Sequence, residues 1–163
     1  MHKLLTYCKI DGFEIRETTP SDLLLINVRK EQEEVHYIFN NRKIEYIHFL
    51  LTKVAFCFTI VKGDIPVFIG GGMFVQPHNL EIFSFISDDF HEHFKTRPLQ
   101  FIKTIKFVIN SAVARRKQVT ARLGFTQAIK LIKVLGFTEE GILRKFLPDG
   151  GDAIIFSKVE DDR

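Results

Sequence analysis

The stretch Ala121–Val159, ARLGFTQAIKLIKVLGFTEEGILRKFLPDGGDAIIFSKV, decides the fold of this chain. Its middle predicts a short amphipathic helix, because apolar residues recur at spacings of three and four while lysines fall on the opposite face. These apolar residues are Ala128, Leu131, Ile132 and Leu135. Gly136 stands where a helix ends in a left-handed residue, and Phe137 starts a strand. The stretch therefore predicts strand, helix, strand, turn and strand.

The chain has the length and composition of one globular domain. Its 163 residues are 45% apolar, and we assign residues 1–163 to a single domain. The 23 basic and 20 acidic residues are nearly balanced, which argues against a nucleic-acid partner. No run approaches the roughly 18 apolar residues of a membrane helix, and no signal peptide is visible. We therefore expect neither a membrane nor a nucleic acid as a partner.

The N-terminal third predicts one strand and two helices. Phe13–Thr18 alternates apolar and polar residues, as a half-buried strand does. Thr19 followed by Pro20 is a strong helix start, and Leu23–Arg29 continues that helix. An apolar stripe predicts a second helix over Gln32–Lys53.

The middle of the chain predicts an antiparallel meander followed by a crossover helix. The three strands are Val54–Val61, Ile65–Val75 and Leu80–Asp88. After a loop at His91–Thr96, the helix Arg97–Arg116 leads to the strand Lys117–Leu123, which pairs in parallel with the last meander strand. We predict an α/β fold with a mixed, mostly antiparallel sheet, helices on both faces, and a parallel pair flanking the crossover helix. A ligand belongs at the carboxyl ends of that pair.

Both ends of the chain resemble the GNAT superfamily of N-acetyltransferases. Ile15–Asp22 (IRETTPSD) is similar to the first strand and helix of the superfamily. The helix with its Leu-Gly-Phe stop at Ala128–Phe137 and the tail Glu139–Lys158 resemble its closing elements. The resemblance implies the GNAT fold and acetyl-CoA as the cofactor.

The resemblance also implies where acetyl-CoA would bind. The superfamily holds the pyrophosphate on a Gln/Arg-x-x-Gly-x-Gly/Ala loop, and the matching stretch here is His93–Pro98. The implied cofactor-binding residues are Phe85, Ile86 and Ser87 for the pantetheine, with His93, Lys95, Thr96 and Arg97 for the phosphates. Pro98 lacks an N–H, and Thr96 puts a branched side chain where the phosphate approaches. Cations at a helix N-terminus could replace the glycines; the alternative is a solvated loop.

The positions that carry chemistry in the superfamily are partly replaced. Phe125 stands where an Asn is usual, and Ile132 stands where a Tyr usually protonates the leaving thiolate. Strand alternation places Glu81 on one face with Phe83 and Phe85, near the expected cleft. We therefore take Glu81 as the candidate base; the alternative is an ordinary surface acid.

Two further patterns do not predict sites. His91 and His93 could be metal ligands, but no nearby third ligand completes a site, so we predict no metal. Gly70–Gly72 lies inside a strand without a following helix, which indicates a bulge or a close backbone contact rather than a phosphate loop.

A narrower resemblance is to the GNAT-like internal virion proteins of short-tailed bacteriophages. It is carried by the Gly-Gly strand Ile65–Gly71, by Arg97–Phe101, and by a Leu-Gly-Phe stop without the Tyr. It implies a degenerate acyl-CoA site in a structural or interaction component of a virion or host-takeover assembly. The protein would then act in the host cytoplasm or the virion, with protein partners.

The sequence thus leaves two functional hypotheses. One is the degenerate, phage-type protein, and the other is an active acetyl-CoA-dependent N-acetyltransferase acting on a primary amine of a small molecule or protein. The 17 phenylalanines mostly indicate core filling. An apolar partner surface is the alternative for Phe39, Phe49, Phe94 and Phe146.

Overall fold

A seven-stranded mixed sheet forms the centre of the molecule. The computed structural model describes residues 2–32 and 44–160, apart from 46 and 51. The strands are β1 (Glu14–Glu17), β2 (Phe56–Lys62), β3 (Ile65–Gln76), β4 (Asn79–Ile86), β5 (Arg116–Arg122), β6 (Thr138–Leu143) and β7 (Ala153–Val159). Their order is β1-β2-β3-β4-β5-β7-β6. β4 and β5 pair in parallel and the other neighbours pair antiparallel, which confirms the predicted sheet.

Helices cover both faces of this sheet, as predicted. Those whose bounds the structure gives are α1 (His2–Leu5), α2 (Pro20–Leu25), α3 (Phe90–Phe94), α4 (Pro98–Ser111) and α5 (Thr126–Val134). α4 and α5 pack in one core cluster, to which β4 contributes Ile86. α2 packs in a second cluster with Phe85. Because adjacent strand residues point to opposite faces, the two clusters lie on opposite sides of the sheet.

The closing unit confirms the prediction made from Ala121–Val159. Ile132 and Leu135 of the predicted apolar face are buried in the first core cluster, and Ala128 and Leu131 pack against it. Gly136 has a φ of +94°, the left-handed conformation that ends a helix.

Helix ends differ from the sequence prediction where a strand takes over the chain. α2 ends at Leu25 rather than Arg29, because Val28 leaves the helix and forms a β-bridge with Ser87. α4 ends at Ser111 rather than Arg116, because Arg116 pairs with Asn79 at the start of β5. Tertiary pairing overrides local helix propensity in both places.

Two other predicted segments have different outcomes. The predicted loop His91–Thr96 is partly helical, because α3 extends into it as far as Phe94. The predicted helix Gln32–Lys53 falls largely outside the described residues. Within it, the described residues 44, 45, 47–50, 52 and 53 are helical, whereas Gln32 lies outside any helix.

Candidate functional site

A wedge between β4 and β5 opens at the carboxyl ends of both strands. The two strands pair through Asn79–Glu81 and Arg116–Gln118 and then separate, since β4 continues beside β3 while β5 continues beside β7. A cavity of about 260 Å³ lies in the wedge, lined by β4, β5, α4 and α5. This is the end of the parallel pair at which the sequence predicts a ligand.

A second cavity of about 390 Å³ adjoins the first at the N-terminus of α4. Ile86, Phe101 and Phe125 line both cavities, and we refer to the two adjoining cavities together as the channel. The basic residues Arg29, His91 and Lys95 line its mouth. The channel therefore combines an apolar interior with an entrance at which Arg29 and Lys95 form ion pairs with Glu31 and Glu92.

Glu81 lies in the wedge, half-buried against the first cavity. Burial raises the pKa of the Glu81 carboxyl, although the hydrogen bond from Gln118 and the charge of Arg116 both act to lower it. The Gln118 amide donates to Glu81 Oε2 at 2.6 Å. The carboxylate thus holds a proton more readily than an exposed glutamate, and its role as a base stays a prediction.

A polar network joins Glu81 to the far strands of the sheet. The Gln118 Oε1 atom accepts from Arg116 Nε at 2.9 Å, and Arg116 forms an ion pair with Glu140. Hydrogen bonds from Arg116 and then Ser157 lower the pKa of Glu140 to about 2. The sequence reasoning missed this network. Strand alternation could have placed Arg116 and Gln118 on one face of the sheet. The partners on β6 and β7 could not be identified without knowing how those strands pair with β5.

The side chain of Gln32 occupies the edge of β4 that faces the wedge. Its Nε2 donates to the Ser84 carbonyl at 2.8 Å, and its Oε1 accepts from the Ile86 N–H at 2.8 Å. The sequence reasoning missed Gln32, which lies at the start of a predicted helix and carries no local signal.

Main-chain groups of the same segment extend this pairing. The Arg29 N–H donates to the Ile86 carbonyl at 2.9 Å, and the Asp88 N–H donates to the Asn27 carbonyl at 3.0 Å. On the opposite side, the Ser87 N–H donates to Val67 of β3 at 3.1 Å. Phe85 is buried in the second core cluster. The groups that the resemblance implies for pantetheine at Ile86 and Ser87 are therefore bonded within the chain.

The residues predicted to bind phosphates do not converge. His93 contacts Asp89 at 2.9 Å, lies edge-on to the Phe13 ring and does not line either cavity of the channel. Lys95 lies at the channel mouth and pairs with Glu92 at 2.6 Å. Thr96 and Arg97 are exposed, and the Arg97 guanidinium donates to Thr96 Oγ1 at 3.2 Å.

Apolar side chains occupy the two positions at and in α5 where the superfamily usually has an Asn and a Tyr. Ile132 is 8% exposed, packs in the first core cluster and lines the cavity. Phe125 lies with the Arg29 guanidinium 5.2 Å from its ring centroid. Neither side chain can donate a proton to a leaving group.

Acetyl-CoA fits this arrangement at the channel mouth but not at the β4 edge. The apolar channel suits an extended arm, and Lys95 at its mouth, which also pairs with Glu92, is a basic group that an anionic ligand could contact. The Ile86 N–H and carbonyl, however, are bonded within the chain, and α4 begins with Pro98, which has no N–H. As the residues stand, they do not hold the cofactor in the way that the resemblance implies.

The described residues contain neither a candidate metal site nor a helix that could span a membrane. Across this part of the chain, no three His, Cys, Asp or Glu side chains are grouped so that they could bind a metal ion. None of the helices there is both long and apolar enough to cross a membrane.

The architecture is the GNAT fold. A ribosomal-protein-S5-alanine acetyltransferase from Vibrio fischeri matches with a TM-score of 0.66 and 17% identity, over 94% of this chain and 96% of that chain. A ribosomal L7/L12 α-N-protein acetyltransferase in complex with coenzyme A matches with a TM-score of 0.68 and 12% identity, over 93% and 96%. The protein yncA from Salmonella typhimurium, solved with acetyl-CoA, matches with a TM-score of 0.63 and 12% identity, over 94% and 96%.

These similarities confirm the GNAT resemblance at the level of the fold. No protein-family model matches the sequence, and no curated protein matches it either. The resemblance to internal virion proteins of bacteriophages stays a prediction, as do the roles assigned to Glu81 and to the implied cofactor-binding residues.

Proposed function

We propose that this chain is a GNAT-fold protein with a degenerate acyl-CoA site, and that it works as an interaction component of a larger assembly. The observation that supports the loss of acyl transfer is the environment of Ile132. It lines the cavity from α5 and is buried in the core, so the position that carries the acid in the superfamily presents only an alkyl group to the cleft.

Apolar side chains at the opposite end of the sheet support a protein partner. Phe74 is 51% exposed and Val113 is 91% exposed, and both line a groove of about 450 Å³ with Leu4. Exposed apolar side chains grouped around one groove favour a contact with another protein. Of the phenylalanines predicted for such a surface, Phe94 is buried in the core, Phe49 and Phe146 are exposed, and Phe39 lies outside the described residues.

A thiol-release assay tests the loss of acyl transfer. The protein is incubated with millimolar acetyl-CoA and a panel of primary amines and N-terminal peptides, with an active GNAT acetyltransferase as the positive control. We expect CoA release at the rate of the protein-free blank. Sustained release that depends on an amine would overturn the proposal.

The virion role has its own test. If the chain is a component of a phage particle, mass spectrometry of particles purified from the phage that encodes it will detect the chain in a fixed ratio to the capsid protein. Its absence from purified particles would exclude the virion, and co-purification with a host protein would then support the host-takeover role.

An active N-acetyltransferase is the second candidate function. The environment of the Glu81 carboxyl is the observation that favours it. This carboxyl lies in the wedge, and burial raises its pKa as is typical of a general base. If amine-dependent CoA release is found, Glu81→Gln should lower kcat/KM by about 100-fold or more. An unchanged kcat/KM would exclude Glu81 as the base.

A further inference from the structure

We infer that the segment from Asn27 to Gln32 acts as a built-in occupant of the cleft, and that the Gln32 carboxamide is its displaceable part. An extended, amide-bearing ligand, here the pantetheine arm of a CoA thioester, can pair with β4 only when Gln32 leaves Ser84 and Ile86. The inference rests on the proposed function, because it gives a physical reason why this GNAT fold would not accept the cofactor.

Three parts of the chain pair with β4 along the side that faces the wedge. β5 pairs with Asn79–Glu81, Gln32 then bonds to Ser84 and Ile86, and the main chain at Asn27 and Arg29 bonds to Asp88 and Ile86. Along this edge of β4, the Gln32 side chain therefore lies between the segment that pairs with β5 and the β-bridge of Val28 with Ser87.

The carboxamide of Gln32 imitates a peptide group. A side-chain amide carries an N–H donor and a carbonyl acceptor, as a main-chain residue in a ladder does. Both hydrogen bonds measure 2.8 Å, an ordinary length for a ladder. A ligand that replaces Gln32 must therefore also supply one amide donor and one carbonyl acceptor, which the amides of a pantetheine arm do.

Burial makes this exchange selective. Gln32 is 8% exposed, so its departure without a replacement would leave the Ser84 carbonyl and the Ile86 N–H poorly solvated. Gln32 also lines the first cavity, so a ligand that displaces it gains access to the apolar space behind. Arg29 and Lys95 at the channel mouth could contact a ligand whose far end is anionic, as in CoA, in exchange for their ion pairs with Glu31 and Glu92.

Calorimetric titration with acetyl-CoA tests the inference on the full chain. We compare the wild type with Gln32→Ala, and we use ADP, which has the diphosphate but no pantetheine arm, as the probe of the mouth alone. Gln32→Ala should bind acetyl-CoA about 10- to 100-fold more tightly than the wild type, the effect of one to two net hydrogen bonds. The affinity for ADP should be the same in both proteins.

Gln100→Ala is the matched control. The Gln100 carboxamide also bonds to a distant main-chain N–H, that of Asp11 at 3.1 Å, but Gln100 does not line either cavity of the channel. This variant loses an equivalent tertiary contact, so it should bind acetyl-CoA as the wild type does. A gain of affinity in Gln100→Ala would show that general loosening, rather than an opened edge, is responsible.

Hydrogen exchange at the Ile86 amide gives a second readout that needs no turnover. Without ligand, exchange at Ile86 should be faster in Gln32→Ala than in the wild type, and acetyl-CoA should slow it again in the variant. If Gln32→Ala does not fold, Gln32→Glu keeps the shape of the side chain and the acceptor for the Ile86 N–H but cannot donate to Ser84, so it should show a smaller gain in affinity.

The outcomes separate the inference from the proposed function. Equal or weaker binding by the folded Gln32 variants, or no binding by any of the proteins at millimolar acetyl-CoA, overturns the inference and leaves the loss of acyl transfer standing. Amine-dependent CoA release by the wild type overturns the proposed function, whereas the affinity ratio between wild type and variant still decides the inference.

Discussion

Asp22 shows how one buried carboxylate fixes the start of the fold. It accepts hydrogen bonds from the Arg16 guanidinium at 2.6 and 2.7 Å and from the Thr19 N–H at 2.7 Å. Thr59 of β2 contacts it at 3.2 Å. Burial acts to raise the pKa of Asp22, but the hydrogen bonds from Arg16 and Thr19 outweigh it, and the pKa lies below its usual value. The residue joins β1, α2 and β2 at one point.

We predict that Asp22→Asn lowers the free energy of unfolding by about 3 kcal/mol at pH 7, because Arg16 loses a buried partner. The folded pKa of Asp22 is depressed, so its contribution is complete above the unfolded pKa of about 3.9 and is lost as the pH falls through the folded value. Urea unfolding at pH 7 and at pH 3 should show a smaller difference for the variant than for the wild type.

The control for Asp22 is Asp64→Asn, in the exposed turn between β2 and β3. It should leave the free energy of unfolding within about 0.5 kcal/mol of the wild type. Equal effects of the two substitutions would contradict the assignment of Asp22 as the anchor.

Residue-level predictability depends on how local a contact is. The helix start at Thr19 and Pro20 could be predicted, because a cap is satisfied within three residues. The contacts of Gln32 could not, because its partners Ser84 and Ile86 lie 52 and 54 residues away and are brought to it by the sheet.

Among the elements, β3 depends on a glycine in its centre. A Cβ on Gly71 would lie 2.4 Å from the Phe83 ring and 2.8 Å from the Phe56 carbonyl oxygen, so a main-chain atom and an aromatic ring would both have to move. The Gly70–Gly72 stretch thus makes the close contact that its sequence predicts.

We predict that Gly71→Ala lowers the free energy of unfolding by about 2 kcal/mol, as overpacking does in a well-packed core. Gly141→Ala on β6 is the matched control, since a Cβ there meets no atom within 4 Å. Chemical denaturation of both variants checks this, and a loss in Gly141→Ala as large as that in Gly71→Ala would refute the steric explanation.

The helices and strands with a strong sequence pattern could be predicted. The residues at which the helices end could not. The apolar face of α5 and the helix end at Gly136 could be predicted, because periodicity and a left-handed glycine are local signals. The ends of α2 and α4 were misplaced by several residues, because Val28 and Arg116 pair with strands that the local sequence does not reveal.

At the scale of the whole molecule, the sheet consists of two halves, β1–β4 and β5–β7, which meet in a short seam where β4 pairs with β5. β4 and β5 share three residue pairs, Asn79–Glu81 with Arg116–Gln118, and α4 and α5 bridge the halves above them in one core cluster. The parallel pairing of β4 and β5 could be predicted from the crossover rule, whereas the position of β7 between β5 and β6 was not predicted. The content of the wedge could not be predicted, because no rule of topology states which side chain fills it.

We predict that this shared core makes unfolding cooperative in spite of the short seam. All three tyrosines precede Val54 and the chain has no tryptophan, so tyrosine fluorescence reports on the N-terminal part while far-UV circular dichroism reports on the whole. The two urea transitions should coincide. Separate midpoints would show that the β5–β7 half unfolds on its own.

The self-pairing of β4 has a consequence for how the protein behaves in a crowded solution. A strand that leaves its neighbour inside a wedge exposes unpaired N–H and carbonyl groups, and such an edge is a template for strands of other molecules. Gln32 and the bridge at Val28 cover this template from within the chain. They therefore keep the wedge-side edge of β4 from pairing with strands of other molecules when no ligand occupies the cleft.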